Sequence, residues 1–437
     1  MPTRVRELAE ATPDTRDRYV DLLRVASLGT VVLGHWLMAA VTADGVGNLL
    51  AVVPELQLLT WALQIMPVFF FVGGFSHALS YRSLRRRQLP GAGVYAAFLR
   101  ARLRRLLRPT MVFVGVWGAA ALAIQLLGGG GGLTGAALRL VTQPLWFIGI
   151  YLAMVALTPP LLKLHERYGW GAFAALVGGA VAVDVLRFVY GVPFVEFLNF
   201  AFVWLAVHQL GFLRADGRLR LPSVLALTGL AGAAALVALG PYPLSMVGMP
   251  GEKVSNMAPP TLALLCHGLW LVGAVELLRG HGARFVARPR VWRTVVAANG
   301  VAMTAFLWHL TAMLGVYGAL LALGVPLPAP ASVAWWAHTP LRIAAAAVLT
   351  VGMVAAFRGF ERPSPAPATP GSGPLAALGI TLCLLGVLGL STVGFGGLLE
   401  GRSAVLIAFR VTAPAAVAMT LAGWLLVERT GRGGRTA

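Results

Sequence analysis

Apolar residues along this chain run in stretches of about 20, the length a helix needs to cross bilayer hydrocarbon, and short segments of Arg, Gly and Pro break them up. The pattern predicts twelve helices, at about 19–42, 57–81, 109–127, 144–162, 170–187, 195–213, 222–239, 259–278, 295–321, 341–358, 375–395 and 404–427. The first run, Tyr19 to Val41, is too long for a signal-peptide core and lacks a clear cleavage pattern, so it reads as a retained span. The expected fold is all-α: a polytopic integral membrane helix bundle with a ten-span core and about two further C-terminal spans. Pro67 falls inside the second run and is expected to kink it. Residues 361–374, ERPSPAPATPGSGP, read as a flexible linker that sets the last two spans apart. The chain thus divides into an N-terminal segment 1–18, a core 19–360, the linker 361–374, two additional helices 375–427 and a tail 428–437. No internal repeat points to an inverted-repeat transporter. Gly128–Gly132 lack the Lys-Ser/Thr that would make a P-loop.

Composition agrees with the pattern. Charged residues make up 12% of the chain, about half the share of a soluble domain, and mean hydropathy is +0.78. A soluble globular enzyme and a disordered chain are both excluded. The formal charge is +19, from 35 Lys+Arg against 16 Asp+Glu. A basic balance can signal nucleic acid, but that needs a basic face on a folded domain. Here the cations sit in clusters between apolar runs, which is the topology signal of membrane proteins. With both termini cytoplasmic, every cation falls on the inner side except Arg24, Arg139, Arg187, Lys253, Arg342, Arg402 and Arg410. Arginine dominance over lysine and abundant alanine suggest a GC-rich bacterial genome, hence the bacterial cytoplasmic membrane. Cys266 and Cys383 lie far apart within apolar runs, so neither a disulfide framework nor a metal site is expected.

Charges inside spans are costly and mark function by default. The first span carries Asp21, Arg24 and His35. At 100° per residue, Arg24 and His35 are about 20° apart around the axis and about 16 Å apart along it. Asp21 lies on the same stripe, at i,i+3 from Arg24, where a structural ion pair is the plain alternative. Arg100, Arg104 and Arg108 follow at i,i+4 spacing, with Arg105 beside them, in a basic amphipathic helix leading to Pro109. Such a cluster either anchors to anionic membrane lipid or clamps phosphate, because guanidinium forks match phosphate oxygens. His309, in AFLWHL, is the leading candidate among the other intramembrane polar groups. Trp146, in QPLWFIG, opens the fourth span at the outer interface, where an aromatic belt is the plain reading.

At these residues the sequence resembles the acyltransferase 3 family of integral membrane acyltransferases. Arg24, ten intervening residues and His35 match the family's first-span pattern, within DLLRVASLGTVVLGHW. Phe70 to Phe75 is similar to its F-F-x-x-S-G-F segment, with Gly73 standing where serine is usual. Arg104-Arg105-Leu106-Leu107-Arg108 fits its R-R-x-x-R pattern, and Leu145-Trp146-Phe147 and Phe306-Leu307-Trp308-His309 resemble later segments. The resemblance covers about residues 15 to 360.

It implies transfer of an acyl group, often acetyl, from cytoplasmic acyl-CoA to a hydroxyl of a glycan, lipid or other alcohol, often on the outer side. Donor phosphates are assigned to Arg24, Arg104, Arg105 and Arg108. His35 is the catalytic base or a transient acyl carrier, and Asp21 orients or neutralises Arg24. Trp146 and His309 are assigned to the acceptor. Acyl-CoA, acetyl-CoA above all, is the expected co-substrate; the alcohol acceptor and membrane lipid are the other partners, and nucleic acid is not one. The alternative reading is a secondary transporter or flippase that uses the same polar stripe as a proton relay.

Overall fold

The computed structural model describes residues 2–13, 15–42, 45–87, 91–249, 251–361 and 372–429. In chain order its helices are α1 (Pro2–Glu10), α2 (Arg18–Met38), α3 (Leu49–Val52), α4 (Thr60–Leu63), α5 (Met66–Arg86), α6 (Gly91–Leu126), α7 (Gly132–Leu140), α8 (Gln143–Tyr168), α9 (Trp170–Phe188), α10 (Asn199–Ala215), α11 (Pro222–Leu239), α12 (Leu262–Leu277), α13 (Arg279–Val286), α14 (Pro289–Asn299), α15 (Ala302–Ala322), α16 (Val333–Phe357), α17 (Gly373–Val393) and α18 (Ala413–Arg429). Among the described residues, ten helical stretches are long and apolar enough to cross a membrane, or eleven if α12 and α13, bent by 56°, form one span. Ala413–Glu428 is a shorter apolar helix. The chain is a polytopic helical membrane protein.

Each expected span has a helix, but several boundaries move. α2 ends at Met38, and Ala39–Val41 (β1) then pairs antiparallel with Val46–Asn48 (β2). His35 therefore sits one turn from the helix end. Pro67 is the second residue of α5, a first-turn position where its missing N–H costs nothing, so it starts a helix instead of kinking one. Pro109 lies inside α6, and the basic segment and the third span are one continuous helix of 36 residues. The ninth run breaks at Gly300–Val301 between α14 and α15. The last run, expected to be helical from 404, opens as a hairpin of Ser403–Leu406 (β3) and Phe409–Thr412 (β4). Its β-branched and aromatic residues favour extended backbone, and α18 starts only at Ala413-Pro414.

Packing groups the helices into two units, each drawn from several stretches of the chain. The first comprises residues 1–34, 50–78 and 160–302. In it α5 crosses α10 at Gly74 and Gly211: a Cβ on Gly74 would strike the His208 carbonyl, and one on Gly211 the Phe71 carbonyl. Close crossings at small residues are the usual way helices associate where water supplies no driving force.

The second unit comprises residues 35–49, 79–159 and 303–437. α17 and α18 pair through Gly386, against Thr420, and Gly423, against the Cys383 backbone. Both pack on α6. Gln125 of α6 ties them further, donating to the Phe395 carbonyl at 2.9 Å and accepting from the Leu399 N–H at 2.9 Å. These two helices thus pack within this unit. Of the expected linker, 362–371 lie outside the described residues, and so does the tail from 430. Glu361, the first linker residue, is buried and caps α15: it accepts from Met303 N–H (3.1 Å), Thr304 N–H (3.0 Å) and Thr304 Oγ1 (2.7 Å). A carboxylate on these unpartnered N–H groups also complements the helix dipole. α16 leaves Leu341, Val348 and Val351 largely exposed, a surface suited to lipid and not to water.

Candidate active site

The second unit joins two histidines that stand 274 residues apart. His35 Nδ1 lies 2.8 Å from His309 Nε2, and the two rings stack at 5.0 Å between centroids with 18° between planes. His309 is fully buried and His35 partly so. His309 Nδ1 contacts the Phe306 carbonyl one turn back on α15. That oxygen can only accept, so Nδ1 of His309 carries the proton. For two neutral rings the remaining protonation follows. His309 Nε2 is an acceptor, His35 Nδ1 donates to it, and His35 Nε2 holds a lone pair. The pair thus presents a basic nitrogen in one defined tautomer.

Aromatic packing fixes the partner ring. Trp36 Nε1 donates to the His309 carbonyl at 3.0 Å. Phe306 meets Phe147 edge-on at 4.9 Å, and Trp308 lies between Phe113 (5.3 Å) and Phe357 (4.2 Å, parallel). Trp117 Nε1 donates to Thr311 Oγ1 at 3.0 Å, holding the next turn of α15. Trp146 is half-buried on α8; its neighbour Phe147, a helical step of about 100° away, supplies the ring packed on Phe306.

The arginine stripe on α6 belongs to the same unit. Its i,i+4 spacing puts Arg100, Arg104 and Arg108 on one face, with Arg100 buried and Arg105 turned out and exposed. Arg104 Nη2 donates to Glu428 Oε2 at 3.1 Å, and Arg108 Nε lies 3.8 Å from Glu428 Oε1. A carboxylate from α18 therefore sits on two of the guanidiniums that the sequence assigns to phosphate. Nothing in the local pattern of α6 signals that partner.

In the first unit the expected Asp21–Arg24 pair forms, Arg24 Nη1 to Asp21 Oδ1 at 3.3 Å, and Arg16 adds a two-point contact at 2.5 and 3.0 Å. Asp21 is buried, and the Arg16 guanidinium is held charged by its hydrogen bond to Asp21, which raises its pKa above the usual value. Arg24 Nη2 also donates to Ser76 Oγ at 2.8 Å. Asp21 and His35 are fourteen residues apart on α2, about 21 Å along the axis, so Asp21 acts on Arg24 and not on the imidazole.

A family model described as an acyltransferase domain matches residues 17–358. The chain belongs to the acyltransferase 3 family. No curated protein and no solved structure matches it significantly. This membrane acyltransferase shows further residues that sequence reasoning missed. Arg342, counted only as a topological exception, is held in the second unit by Tyr317 OH (3.1 Å), Thr339 Oγ1 (2.7 Å) and the Trp335 carbonyl (2.8 Å), its guanidinium over the Trp335 ring. It lines a narrow cleft with Trp36. The available signal was an arginine three residues after Thr339 and seven after Trp335, on one helix face. Ser76 and Glu428 carried no comparable signal.

Proposed function

We propose that this acyltransferase moves an acyl group, acetyl in the first instance, from acyl-CoA to the hydroxyl of a cell-envelope glycan, lipid or similar alcohol. The observation that carries this reading is the hydrogen-bonded His35–His309 pair. Its geometry leaves His35 Nε2 as a base, and imidazole is the side chain suited to accept a hydroxyl proton near neutral pH. His35 Nε2 takes the acceptor's O–H proton while that oxygen attacks the thioester carbonyl carbon. The C–S bond breaks, the thiolate takes the proton from the imidazolium, and the products are an ester and CoA. His309 keeps the imidazole in the reactive tautomer.

Arg104, Arg105 and Arg108 would hold donor phosphates, since forked guanidinium donors match phosphate oxygens. Phosphate would have to share or displace Glu428. Arg24, steadied by Asp21 and Ser76, is a further donor-side cation in this reading, and Trp146 lines the acceptor side. The enzyme would act in the bacterial cytoplasmic membrane with both termini inside.

The test is acceptor-dependent release of CoA from labelled acetyl-CoA by purified protein. His35→Ala should abolish it while leaving expression and membrane insertion unchanged. A fully active His35→Ala protein would overturn the mechanism, and gradient-driven flux of acceptor without CoA release would point to transport instead.

A further inference from the structure

The first unit contains a cleft of about 450 Å³ that neither the histidine pair nor the α6 stripe uses. Arg16, Asp17, Arg18 and Arg279 form its polar rim beside Tyr19, and Ala283, Val286 and Ala287 its apolar floor. The cleft exists because the chain bends by 56° between α12 and α13, and the elbow is clamped to the start of α2. Tyr19 OH donates to the Val275 carbonyl at 2.6 Å, and the Tyr19 ring lies where a Cβ on Gly282 would be. Ala283 of α13 and Ala287 just after it then leave the space open.

The rim has a specific charge balance. Arg16 is taken up by Asp21. The two other nearby carboxylates, Asp17 and Glu276, are both engaged by Arg214, at 2.9 and 2.7 Å. Among the described residues, neither Arg18 nor Arg279 has a carboxylate within salt-bridge distance. Arg18 is nevertheless held in place, its guanidinium 5.0 Å from the Trp292 ring centroid; such stacking leaves the N–H fork available for an anion. Cations that only set topology need neither a cavity nor a stacking partner. Glu276 acts on Arg279 only at longer range, so Arg18 and Arg279 are cations outside direct ion pairs, and beside an apolar floor they suit an anion joined to an apolar or flat group.

We propose that this cleft binds a phosphate-bearing ligand, with Arg18 and Arg279 on the phosphate oxygens and the Ala283–Ala287 floor under the attached group. That chemistry has two sources: the nucleotide end of the acyl donor, which rests on the function proposed above, or the headgroup of an anionic phospholipid, which does not.

The experiment uses the full chain, wild type and Arg18→Gln/Arg279→Gln, with Arg290→Gln, an exposed cation outside the cleft, as control for bulk charge. Calorimetry with adenosine 3′,5′-bisphosphate reads the nucleotide source. Native mass spectrometry from mixed phosphatidylcholine and phosphatidylglycerol nanodiscs reads the lipid source. The double variant should lose at least tenfold in one of the two, with Arg290→Gln like wild type. Loss of bisphosphate binding assigns the nucleotide, and loss of phosphatidylglycerol retention assigns the headgroup. Wild-type behaviour of the double variant in both, binding of neither probe by wild type, or an equal loss in Arg290→Gln overturns the proposal. If the double variant does not extract as a monodisperse protein, the exposed single change Arg279→Gln carries the test. His35→Ala should keep the binding: an inactive His35→Ala protein with no cleft effect sinks the cleft alone, and an active one with the cleft effect sinks the catalytic reading alone.

Discussion

At the scale of single residues, the reactive unit is a pair of rings, and the two members should fail differently. His309→Phe keeps the ring volume but removes the acceptor that fixes the His35 tautomer. Steady-state kinetics should show kcat falling about 10²-fold, the size of a general-base contribution, with the donor KM little changed. His309→Gln, whose side-chain oxygen can accept from His35 Nδ1, should recover part of that loss. If Phe and Gln were equally poor, packing and not the hydrogen bond would be what His309 provides. His35 and Arg24 were legible in the sequence because both sit on one stripe of an otherwise apolar helix, where a charge or imidazole stands out. The pairing of His35 with His309 was not, since each histidine alone looks like any buried polar group seeking a carbonyl. Ser76 was equally hidden: a single hydroxyl on an apolar helix carries no pattern, and only the crossing of helices decides what it meets.

At the scale of elements, two carboxylates from the end of the chain act on helices that carry the site. Glu361 satisfies the first N–H groups of α15, less than two turns from His309. Glu361→Ala should lower stability by about 1–2 kcal/mol, the usual value of an N-terminal cap, measured as a lower melting temperature in detergent. It should depress kcat more than it raises the donor KM, because it loosens the helix bearing His309. Glu428 bears on α6. If its carboxylate occupies guanidiniums meant for phosphate, Glu428→Gln should lower the acyl-CoA KM several-fold, while charge reversal at Arg105 and Arg108 should raise it steeply. A KM unmoved by all three changes would assign the α6 stripe to lipid anchoring. The arginine spacing that made this face visible says nothing about its occupant, which arrives from α18 more than 300 residues later.

At the scale of the whole molecule, the distribution of the +19 charge makes one prediction about orientation. Reporters fused at the C-terminus and in the Gly128–Gly132 loop should report opposite sides of the membrane, with the C-terminus cytoplasmic; the reverse assignment would contradict the positive-inside reading. The approximate place of each apolar helix was determined by the sequence alone, because the transfer free energy of a 20-residue segment and its periodicity are properties of that segment. Where a run ended in a hairpin, at Ala39, or began in one, at Ser403, apolar composition was shared by strand and helix and could not choose between them. The partners of the functional groups were decided only in three dimensions. A hydrogen bond between two spans depends on their register and rotation, and those follow from where glycine and alanine allow backbones to approach. So an imidazole near the end of α2 could be read as important from one line of sequence, while its conversion into a base of defined tautomer required α15 to be held beside it.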